Sequence, residues 1–383
     1  MSKSMLILGG GIGGVAVANA LSKKLGKDHN IIVVDRKKDF EYRPSYLWVM
    51  MGWRRPAQIK RSLNGLIGKG IRYVQGSASK IDPGNRTVII DGKERRYDYL
   101  IVSLGADLAP EAIPGLPENE YHIYSLGATE RLRDALATFS EGTLAIGVAS
   151  TPFSCPAAPY EAALLIDCHL REARIRDKVN IKFFTPEPQP LPVAGPLVGG
   201  KIRGMLSKQG IEYNSNQKLM FVDNKNKELT FEKGEKIKFD LLFTVPPHKT
   251  PNVVKESGLT DASGWMPVDR KNLRTKYDDL YAIGDVIALK LPSGMMLPKA
   301  GVFAEHQARI VAHNIASEIL GHNGVKDWDG KGSCLLETGY GKAVYMRGEF
   351  FAEPKPKVNL RRPSRIWHWG KVLFEKYWLW KHF

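Results

Sequence analysis

A glycine-rich turn near the start of the chain constrains the fold more than any other feature. The apolar stretch from Met5 to Leu8 runs directly into Gly9-Gly10-Gly11-Ile12-Gly13-Gly14, and a helical pattern follows from Val15 to Leu25. In such a strand–turn–helix unit, Gly9 makes the tight turn, Gly11 lets the backbone approach a pyrophosphate and Gly14 lets the helix pack on the strand. The helix N-terminus then points its amides at phosphate. The stretch therefore predicts a dinucleotide-binding domain.

A second predicted strand ends in an acidic residue at the distance that such a domain requires. Ile31 to Val34 is apolar, and Asp35 follows it about 20 residues after the last glycine, where a carboxylate can hold a ribose 2′-hydroxyl. The alternative is a glycine turn that holds no ligand. The combination of strand, helix and acid favours the dinucleotide.

Size and charge limit the remaining possibilities. With 383 residues, 43% of them hydrophobic, the chain is long enough for two domains and a tail. A formal net charge of +16 predicts attraction to an anionic surface, either nucleic acid or the cytoplasmic face of a membrane. No apolar run is long enough to span a bilayer, and a first strand at Met5 leaves no room for a signal peptide, so we expect a cytoplasmic protein without a transmembrane helix.

The cysteines are few and widely separated. Cys155, Cys168 and Cys334 are the three in the chain, which is too few for a disulfide framework, and their spacing does not fit a zinc site. We expect no metal. A bridge between any two of them would indicate redox chemistry.

A second strand–helix unit lacks the glycine turn. The strand Thr143 to Val148 is followed by Ala149 to Glu161, which contains three prolines and Cys155 where phosphate-binding glycines would be required. This argues against NAD(P)H as a substrate. A helix from Ala162 to Arg174 carries Cys168, which we interpret as a buried small side chain, and a strand from Val179 to Thr185 follows.

Further segments complete the two units. We predict a small β insertion with strands at Ile71–Ala78 and Thr87–Gly92, a returning strand that ends at Gly105, and a second insertion near Leu229–Phe231. A short strand then ends in Gly284-Asp285, where the carboxylate can accept hydrogen bonds from a ribityl chain. Lys299 precedes a helix from Val302 to Leu320, and its cation suits the pyrimidine edge of a flavin.

The C-terminal segment has a different composition. Residues 361–383 contain six Lys or Arg against one Glu and four of the eight tryptophans, Trp367, Trp369, Trp378 and Trp380. On a helix, one face carries Ile366, Trp369, Leu373, Tyr377 and Trp380, bordered by Lys371, Lys376 and Lys381. This pattern is typical of an interfacial membrane anchor. The alternative is a helix packed on the protein core or on a second copy, and nucleic-acid binding fits less well because the basic residues border an aromatic face.

Taken together, these motifs resemble those of flavoproteins with two dinucleotide-binding domains. The motifs are Gly9-x-Gly11-x-x-Gly14, Asp35, Tyr42-x-Pro44-Ser45, Leu104-Gly105-Ala106 and Tyr281-Ala282-Ile283-Gly284-Asp285. Within that superfamily, the segments Cys155-Pro156-x-x-Pro159-Tyr160-Glu161 and Pro298-Lys299-Ala300-Gly301, the late Cys334 and the amphipathic C-terminus resemble sulfide:quinone oxidoreductases. The fold class so implied is α/β: two Rossmann-like domains with parallel sheets and β insertions, plus an amphipathic helical membrane-binding segment.

The resemblance also implies domain boundaries. Residues 1–110 would form the first part of an FAD-binding domain, with the β insertion at 71–97, and residues 111–260 a second Rossmann-like domain without an NAD site. Residues 261–325 would return to the FAD domain. Residues 326–383 would form a quinone- and membrane-binding segment with amphipathic helices.

The resemblance further implies the site. Non-covalent FAD would be held by Gly9, Gly11, Gly14, Asp35, Pro44, Ala78, Gly105, Gly284, Asp285 and Lys299. Cys155 and Cys334 would form a disulfide beside the flavin, where hydrosulfide attacks one sulfur and gives a persulfide and a thiolate. Electrons would pass through FAD to a membrane quinone near Leu335 and Tyr340, and sulfur would leave as polysulfide. Trp367, Trp369, Leu373, Tyr377 and Trp380 would anchor the protein to the membrane, with homo-oligomerisation left open.

The sequence departs from the family pattern at two places. The stretch His122 to Gly127 has no cysteine, although many members have one nearby that in some binds the flavin covalently, and a histidine often found after Thr185-Pro186-Glu187-Pro188 is absent. Three alternatives remain open. A flavocytochrome c sulfide dehydrogenase flavin subunit would share the cysteine pair but not the tail, and a type II NADH:quinone oxidoreductase would share the tail but need an NADH site. The third is a non-catalytic, basic flavoprotein that binds a membrane surface or nucleic acid and in which the cysteines only pack.

Overall fold

The structure, a computed structural model, describes residues 2–116, 121–322 and 324–383. Within those ranges, helices cover two parallel sheets, and smaller antiparallel sheets extend from them. The first strands are β1 (Ser4–Leu8), β2 (Asn30–Asp35), β3 (Asp39–Glu41), β4 (Lys60–Ser62), β5 (Arg72–Gln75), β6 (Ala78–Asp82), β7 (Thr87–Ile90), β8 (Lys93–Arg96), β9 (Tyr99–Val102), β10 (Asp107–Leu108) and β11 (Gly142–Val148). The later strands are β12 (Val179–Phe184), β13 (Glu212–Asn214), β14 (Leu219–Asp223), β15 (Glu228–Phe231), β16 (Lys236–Lys238), β17 (Leu241–Val245), β18 (His248–Lys249), β19 (Met266–Pro267), β20 (Leu280–Ala282), β21 (Ile287–Ala288), β22 (Lys331–Gly339), β23 (Lys342–Glu349) and β24 (Lys357–Leu360).

Helices connect these strands. They are α1 (Ile12–Leu25), α2 (Tyr46–Met50), α3 (Pro56–Ile59), α4 (Leu126–Thr138), α5 (Ala158–Glu172), α6 (Pro196–Lys208), α7 (Asn252–Glu256), α8 (Gly301–Ile319) and α9 (Arg365–His382), with short 3-10 segments at Arg43–Ser45, Leu63–Lys69, Pro110–Ala112, Arg176–Lys178, Pro192–Ala194 and Gly284–Val286. α5 begins four residues earlier than the sequence suggests, because Pro159 fits the first turn of a helix, where its missing N–H costs nothing.

The first parallel sheet has the strand order β20-β9-β1-β2-β5. β1 and β9 are buried along nearly their whole length, as continuous apolar runs in a parallel sheet should be. Between β1 and α1, Gly9 has φ +104°, and a Cβ on Gly14 would lie 1.8 Å from the carbonyl oxygen of Gly9. Only glycine fits at both positions, so the turn is as tight as the sequence predicts.

The β insertion is smaller than the range 71–97 suggests. The strand Arg72–Gln75 pairs in parallel with β2, with Val33 opposite Tyr73, and so forms the edge of the first sheet. The insertion consists of β6, β7 and β8 in an antiparallel sheet. A turn at residues 82–85 joins β6 to β7, and Asp82 Oδ1 accepts a hydrogen bond from the amide of Asn85. The predicted strand Ile71–Ala78 covers β5 and the first residue of β6, because only two residues, Gly76 and Ser77, separate the two strands.

The second parallel sheet has the order β13-β12-β11-β17. α5 packs on it, and most of its residues are buried. The second β insertion lies where it is expected, as the antiparallel strands β14, β15 and β16. The unit therefore has a Rossmann-like sheet, with a proline-containing loop in place of a glycine turn after β11.

The C-terminal segment is a sheet followed by one helix, not a set of helices. β22, β23 and β24 form an antiparallel sheet, and α9 lies against β23. The inner face of α9 enters the core of the first sheet, where Trp378 stacks on Phe40 with ring centroids 4.9 Å apart. α9 thus joins the C-terminal sheet to the first parallel sheet.

Candidate functional site

The glycine turn leaves room for a phosphate group. A Cβ placed on Gly11 would meet no atom within 4 Å, and the same holds at Gly105, which follows β9 with φ +72°. The Asp35 carboxylate accepts a hydrogen bond from the amide of Gly10 at 2.6 Å and one from the amide of Lys37 at 2.8 Å. Open backbone amides beside a positioned carboxylate fit the pyrophosphate and ribose of a dinucleotide.

Two further residues predicted to hold the cofactor, Ala78 and Pro44, lie at the start of β6 and just after β3. Gly76, two residues before Ala78 at the start of β6, donates its amide to the carbonyl of Asp35. Pro44 lies in the 3-10 segment that follows β3. The aromatic residues around it, Phe40, Tyr42, Tyr46 and Trp48, are buried. This segment therefore contributes to the core, and its last part belongs to α2. The residues predicted to hold FAD fit that group at the glycine turn.

Lys299 connects the predicted cofactor site to the cysteine loop. Its Nζ donates to the carbonyl oxygens of Asp285 at 2.6 Å and Ile287 at 3.1 Å, and it lies 3.4 Å from the centre of the Trp265 ring. Its own carbonyl accepts a hydrogen bond from the amide of Cys155. Burial lowers the pKa of Lys299 to about 8, and the charge of Asp285 offsets part of this effect. The Lys299 ammonium is therefore fixed in position, and the charge of Asp285 balances its positive charge only in part.

Asp285 is held from the cysteine loop as well. The hydroxyl of Ser154 donates to its Oδ2 at 2.6 Å. The amide of the preceding Gly284 donates to Gln307 of α8 at 2.8 Å. The end of β20, the lysine and the cysteine loop are thus one hydrogen-bonded unit.

Cys155 and Cys334 line the same cavity. Its volume is about 180 Å³, and its walls are mostly apolar side chains from the loop after β11, the segments 191–194 and 296–303, and strands β22 and β23. Cys155 has the left-handed φ of +51°, which is uncommon for a residue with a side chain. Cys334 lies on β22 opposite Met346 of β23. All three cysteines are free thiols in this structure.

Both cavity thiols are hard to ionise. Burial, reinforced by the nearby Cys334 and Glu161, raises the pKa of Cys155 far above its usual value. Burial also raises the pKa of Cys334 to about 11, with Glu161 adding to the effect. A thiolate formed in this cavity is therefore a strong electron-pair donor.

The surroundings of Cys168 indicate a structural role. It is 3% exposed on α5, and its Sγ accepts a hydrogen bond from the amide of Tyr340 at 3.2 Å. This contact fixes the turn between β22 and β23 against α5.

A buried ionic cluster, which no sequence motif predicts, lies between the cysteines and α9. Lys371 of α9 pairs with Glu161 of α5, and His368 of α9 lies 3.0 Å from Glu337 of β22. Burial raises the pKa of Glu161 to about 7, and the contact with Lys371 offsets only part of this. Burial opposes the charge of Lys371, but Glu161 and Glu337 outweigh it and raise the pKa of the ammonium. No sequence pattern joins residues 210 positions apart, although Glu161 belongs to the motif around Cys155.

The placement of Lys371 corrects one expectation about the tail. Helical spacing predicts this lysine at the border of the amphipathic face, with Lys376 and Lys381. Its side chain is only 12% exposed and points to the protein interior. Helical spacing predicts where Lys371 lies around the helix axis, but it does not predict the contact with the Glu161 carboxylate.

The predicted apolar face of α9 points away from the protein. Its members are exposed large side chains, namely Ile366, Trp369, Leu373, Tyr377 and Trp380, together with Phe374. Trp367 differs from this expectation, because it is half-buried and stacks on Tyr345 of β23 with ring centroids 4.9 Å apart. In the described part of the chain, no helix combines the length and the hydropathy that crossing a bilayer requires.

Leu335 and Tyr340, the two residues predicted to bind a quinone, lie outside the cysteine cavity. Leu335 is paired with Tyr345 across the strands, so alternation along β22 turns it to the opposite face from Cys334 and toward Trp367. Tyr340 is exposed at the turn between β22 and β23. The sheet therefore separates Leu335 from the cavity.

Comparison with known proteins gives a consistent result. A family model described as pyridine nucleotide-disulphide oxidoreductase matches residues 3–308. A Dictyostelium discoideum protein named mitochondrial sulfide:quinone oxidoreductase is 31% identical over 356 residues, covering 89% of this chain and 76% of that protein. The Mus musculus protein of the same name is 28% identical, covering 91% of this chain and 79% of that protein.

A solved structure covers the whole chain. The sulfide:quinone oxidoreductase from the hyperthermophilic bacterium Aquifex aeolicus matches with a TM-score of 0.90 at 25% identity, covering 100% of this chain and 91% of that one. The match therefore includes both parallel sheets and the C-terminal segment.

Proposed function

Because this chain belongs to the sulfide:quinone oxidoreductases, within the pyridine nucleotide-disulphide oxidoreductase family, we propose that it oxidises sulfide at Cys155 and Cys334 and reduces a membrane quinone. The observation that supports this most directly is the cavity that both cysteines line. FAD, when bound, supplies the two-electron carrier between sulfide and quinone. Gly9, Gly11, Gly14, Asp35, Pro44, Ala78, Gly105, Gly284, Asp285 and Lys299 would hold it.

The binding of FAD would be non-covalent. The stretch His122 to Gly127 offers no thiol, and the sulfur of Cys168 already accepts the amide of Tyr340. Cys155 and Cys334 are required for the reaction with sulfide. The fixed ammonium of Lys299 favours negative charge at the flavin edge that it would face.

The cysteines would react by thiol–disulfide exchange. In the oxidised enzyme, hydrosulfide attacks one sulfur of a Cys155–Cys334 disulfide, so that one S–S bond forms and the old one breaks. One cysteine then carries a persulfide and the other is a thiolate. The mostly apolar walls keep this thiolate poorly solvated, which favours passing on its electron pair. Further rounds would extend the sulfur to polysulfide.

The quinone would approach from the α9 side of the C-terminal sheet. Leu335, Tyr345 and Trp367 form an apolar layer there, and Tyr340 lies at the end of the same hairpin. Sulfur species would bind in the mostly apolar cavity on the opposite face of the C-terminal sheet. Donor and acceptor would thus reach opposite sides of the sheet.

The exposed face of α9 would rest in the membrane interface. Six large apolar side chains are exposed on one helix, and Lys376 and Arg365 lie on the same helix. Together with the net charge of +16, this favours an anionic lipid surface over a protein partner or nucleic acid. The protein would be monotopic, on the cytoplasmic face.

Anaerobic titration tests the main proposal. We expect sulfide to bleach the flavin absorption band of the purified holoprotein and a soluble quinone to restore it. NADH is expected to leave the band unchanged, because the loop after β11 contains prolines where an NADH-binding turn needs glycines. Bleaching by NADH but not by sulfide would instead favour a type II NADH:quinone oxidoreductase.

Substitutions on α9 test membrane attachment. Changing Trp369, Leu373 and Trp380 together to Ser should weaken binding to vesicles with anionic lipid roughly 100-fold, at about 1 kcal/mol for each half-inserted side chain. Sedimentation with vesicles measures this. Leu197→Ser is the control, because Leu197 is 82% exposed on α6. Equal binding by the triple variant and the control would exclude α9 as the anchor.

A further inference from the structure

The cysteine cavity has one carboxylate in its lining. Among the residues that the structure describes, the titratable groups of the lining are Cys155, Cys334, Lys299 and Glu187. Lys299 directs its ammonium to two backbone carbonyls. Among these groups, Glu187 is therefore the one that can accept a proton, apart from the cysteines.

Glu187 is held in place but not neutralised. It follows β12, and its amide donates to Thr185 Oγ1 at 3.2 Å, while its carbonyl accepts the amide of Asn216. Its Oε2 accepts the hydroxyl of Tyr160 from α5 at 3.2 Å. Within the described ranges, no Lys, Arg or His forms an ion pair with it. The surroundings fix the carboxylate by neutral donors alone.

Both protonation states of Glu187 are accessible near neutral pH. Burial raises the pKa of Glu187 to about 7, and hydrogen bonds from Tyr160 and Thr185 offset only part of this. The charged and titratable groups around it are Tyr160 on α5, Tyr213 on β13, and Cys155, Cys334 and Lys299 of the cavity lining. Burial raises the pKa of both tyrosines and both cysteines, so Glu187 and Lys299 are the groups of this set that titrate closest to neutrality.

We propose, on the basis of the proposed sulfide oxidation, that Glu187 is the base that deprotonates hydrogen sulfide inside the cavity. A mostly apolar cavity admits the neutral molecule more readily than an anion, which would lose its hydration. The nucleophile for a disulfide, however, is the anion. One S–H bond of hydrogen sulfide breaks and one O–H bond forms on the Glu187 carboxylate. No electrons are transferred in this step, and the hydrosulfide then attacks the cysteine pair.

The test is the pH dependence of flavin bleaching by sulfide. Anaerobic stopped-flow at constant total sulfide should give the parent holoprotein a bell-shaped profile with its maximum near neutrality, because hydrogen sulfide and ionised Glu187 coexist there. Glu187→Gln keeps the acceptor for Tyr160 but cannot take the proton. We expect its maximum rate to fall about 100-fold, with the residual rate rising with pH as hydrosulfide does. Glu187→Asp should retain a bell of reduced height.

The controls separate this inference from the function on which it depends. Glu235→Gln, an exposed site in the same domain, should keep the parent profile. If the parent holoprotein is not bleached by sulfide at any pH, the proposed function is wrong. If the parent is bleached and Glu187→Gln has the same bell-shaped profile, the function stands and the role of Glu187 is refuted.

Discussion

Cys334→Ser is expected to leave the flavin oxidised in the presence of sulfide, with a bleaching rate at least roughly 10³-fold below that of the parent protein. The exchange needs two sulfurs, and the serine oxygen cannot form the bond that hydrosulfide must break. Cys334 lies on a regular strand opposite Met346, so the substitution should not disturb the backbone. Anaerobic stopped-flow absorbance measures the rate.

Cys168→Ser is the matched control for this experiment. Cys168 lies outside the cavity lining, and a serine oxygen can still accept the amide of Tyr340. This variant should keep sulfide-dependent bleaching. If Cys334→Ser is bleached as fast as Cys168→Ser, the cysteine pair is not the site of sulfide oxidation.

Lys371→Met is expected to lower the free energy of unfolding by about 3–5 kcal/mol at pH 8. The substitution keeps the length of the side chain but leaves the Glu161 carboxylate, which is 3% exposed, without its cation and close to Glu337. Lys371 lowers the pKa of Glu161, which burial raises from 4.5 to about 7, so removing the lysine raises this pKa above 7. The native state then binds more protons than the unfolded state, so the stability of the variant falls as pH rises from about 4.5 to beyond 7.

Urea unfolding of the holoprotein at pH 5 and pH 8 measures this loss. Lys376→Met is the control, because Lys376 is exposed on the same helix and should cost little. The loss for Lys371→Met should be smaller at pH 5, where the carboxyl is protonated. Equal losses in the two variants, or a loss independent of pH, would show that the Glu161–Lys371 contact does not stabilise the fold.

The parts of the fold that depend on neighbouring residues could be predicted from the sequence. The turn at Gly9 and Gly14 is defined within one strand and one helix, and Asp35 follows at a fixed distance. The helix of the tail also follows from its own period. The edge strand β5 was misassigned, because its partner β2 lies some 40 positions earlier and nothing local distinguishes it from the adjoining insertion.

The candidate site depends on contacts between distant segments, and most of these could not be predicted. Helical spacing predicts Lys371 at the border of the apolar face, and Trp367 is predicted as part of the membrane anchor. The burial of both depends on Glu161 and Tyr345, which belong to other elements. The role of Glu187 required knowing that the loop after β12 reaches the same cavity as Cys155. The sequence resemblance predicts Cys155 and Cys334 as the reactive pair, whereas the side chains around them are identified only in the structure.

The two environments of α9 limit how this helix can vary in evolution. Trp378 and Glu375 on the inner side meet Phe40 and Arg54 of the first domain, and Trp369 and Trp380 on the outer side are exposed. A polar substitution outside would leave the fold intact, whereas one inside would disturb the core. Few positions of α9 can therefore vary freely. Selection on the inner side would preserve packing within the protein, whereas selection on the outer side would preserve contact with the surface that it binds.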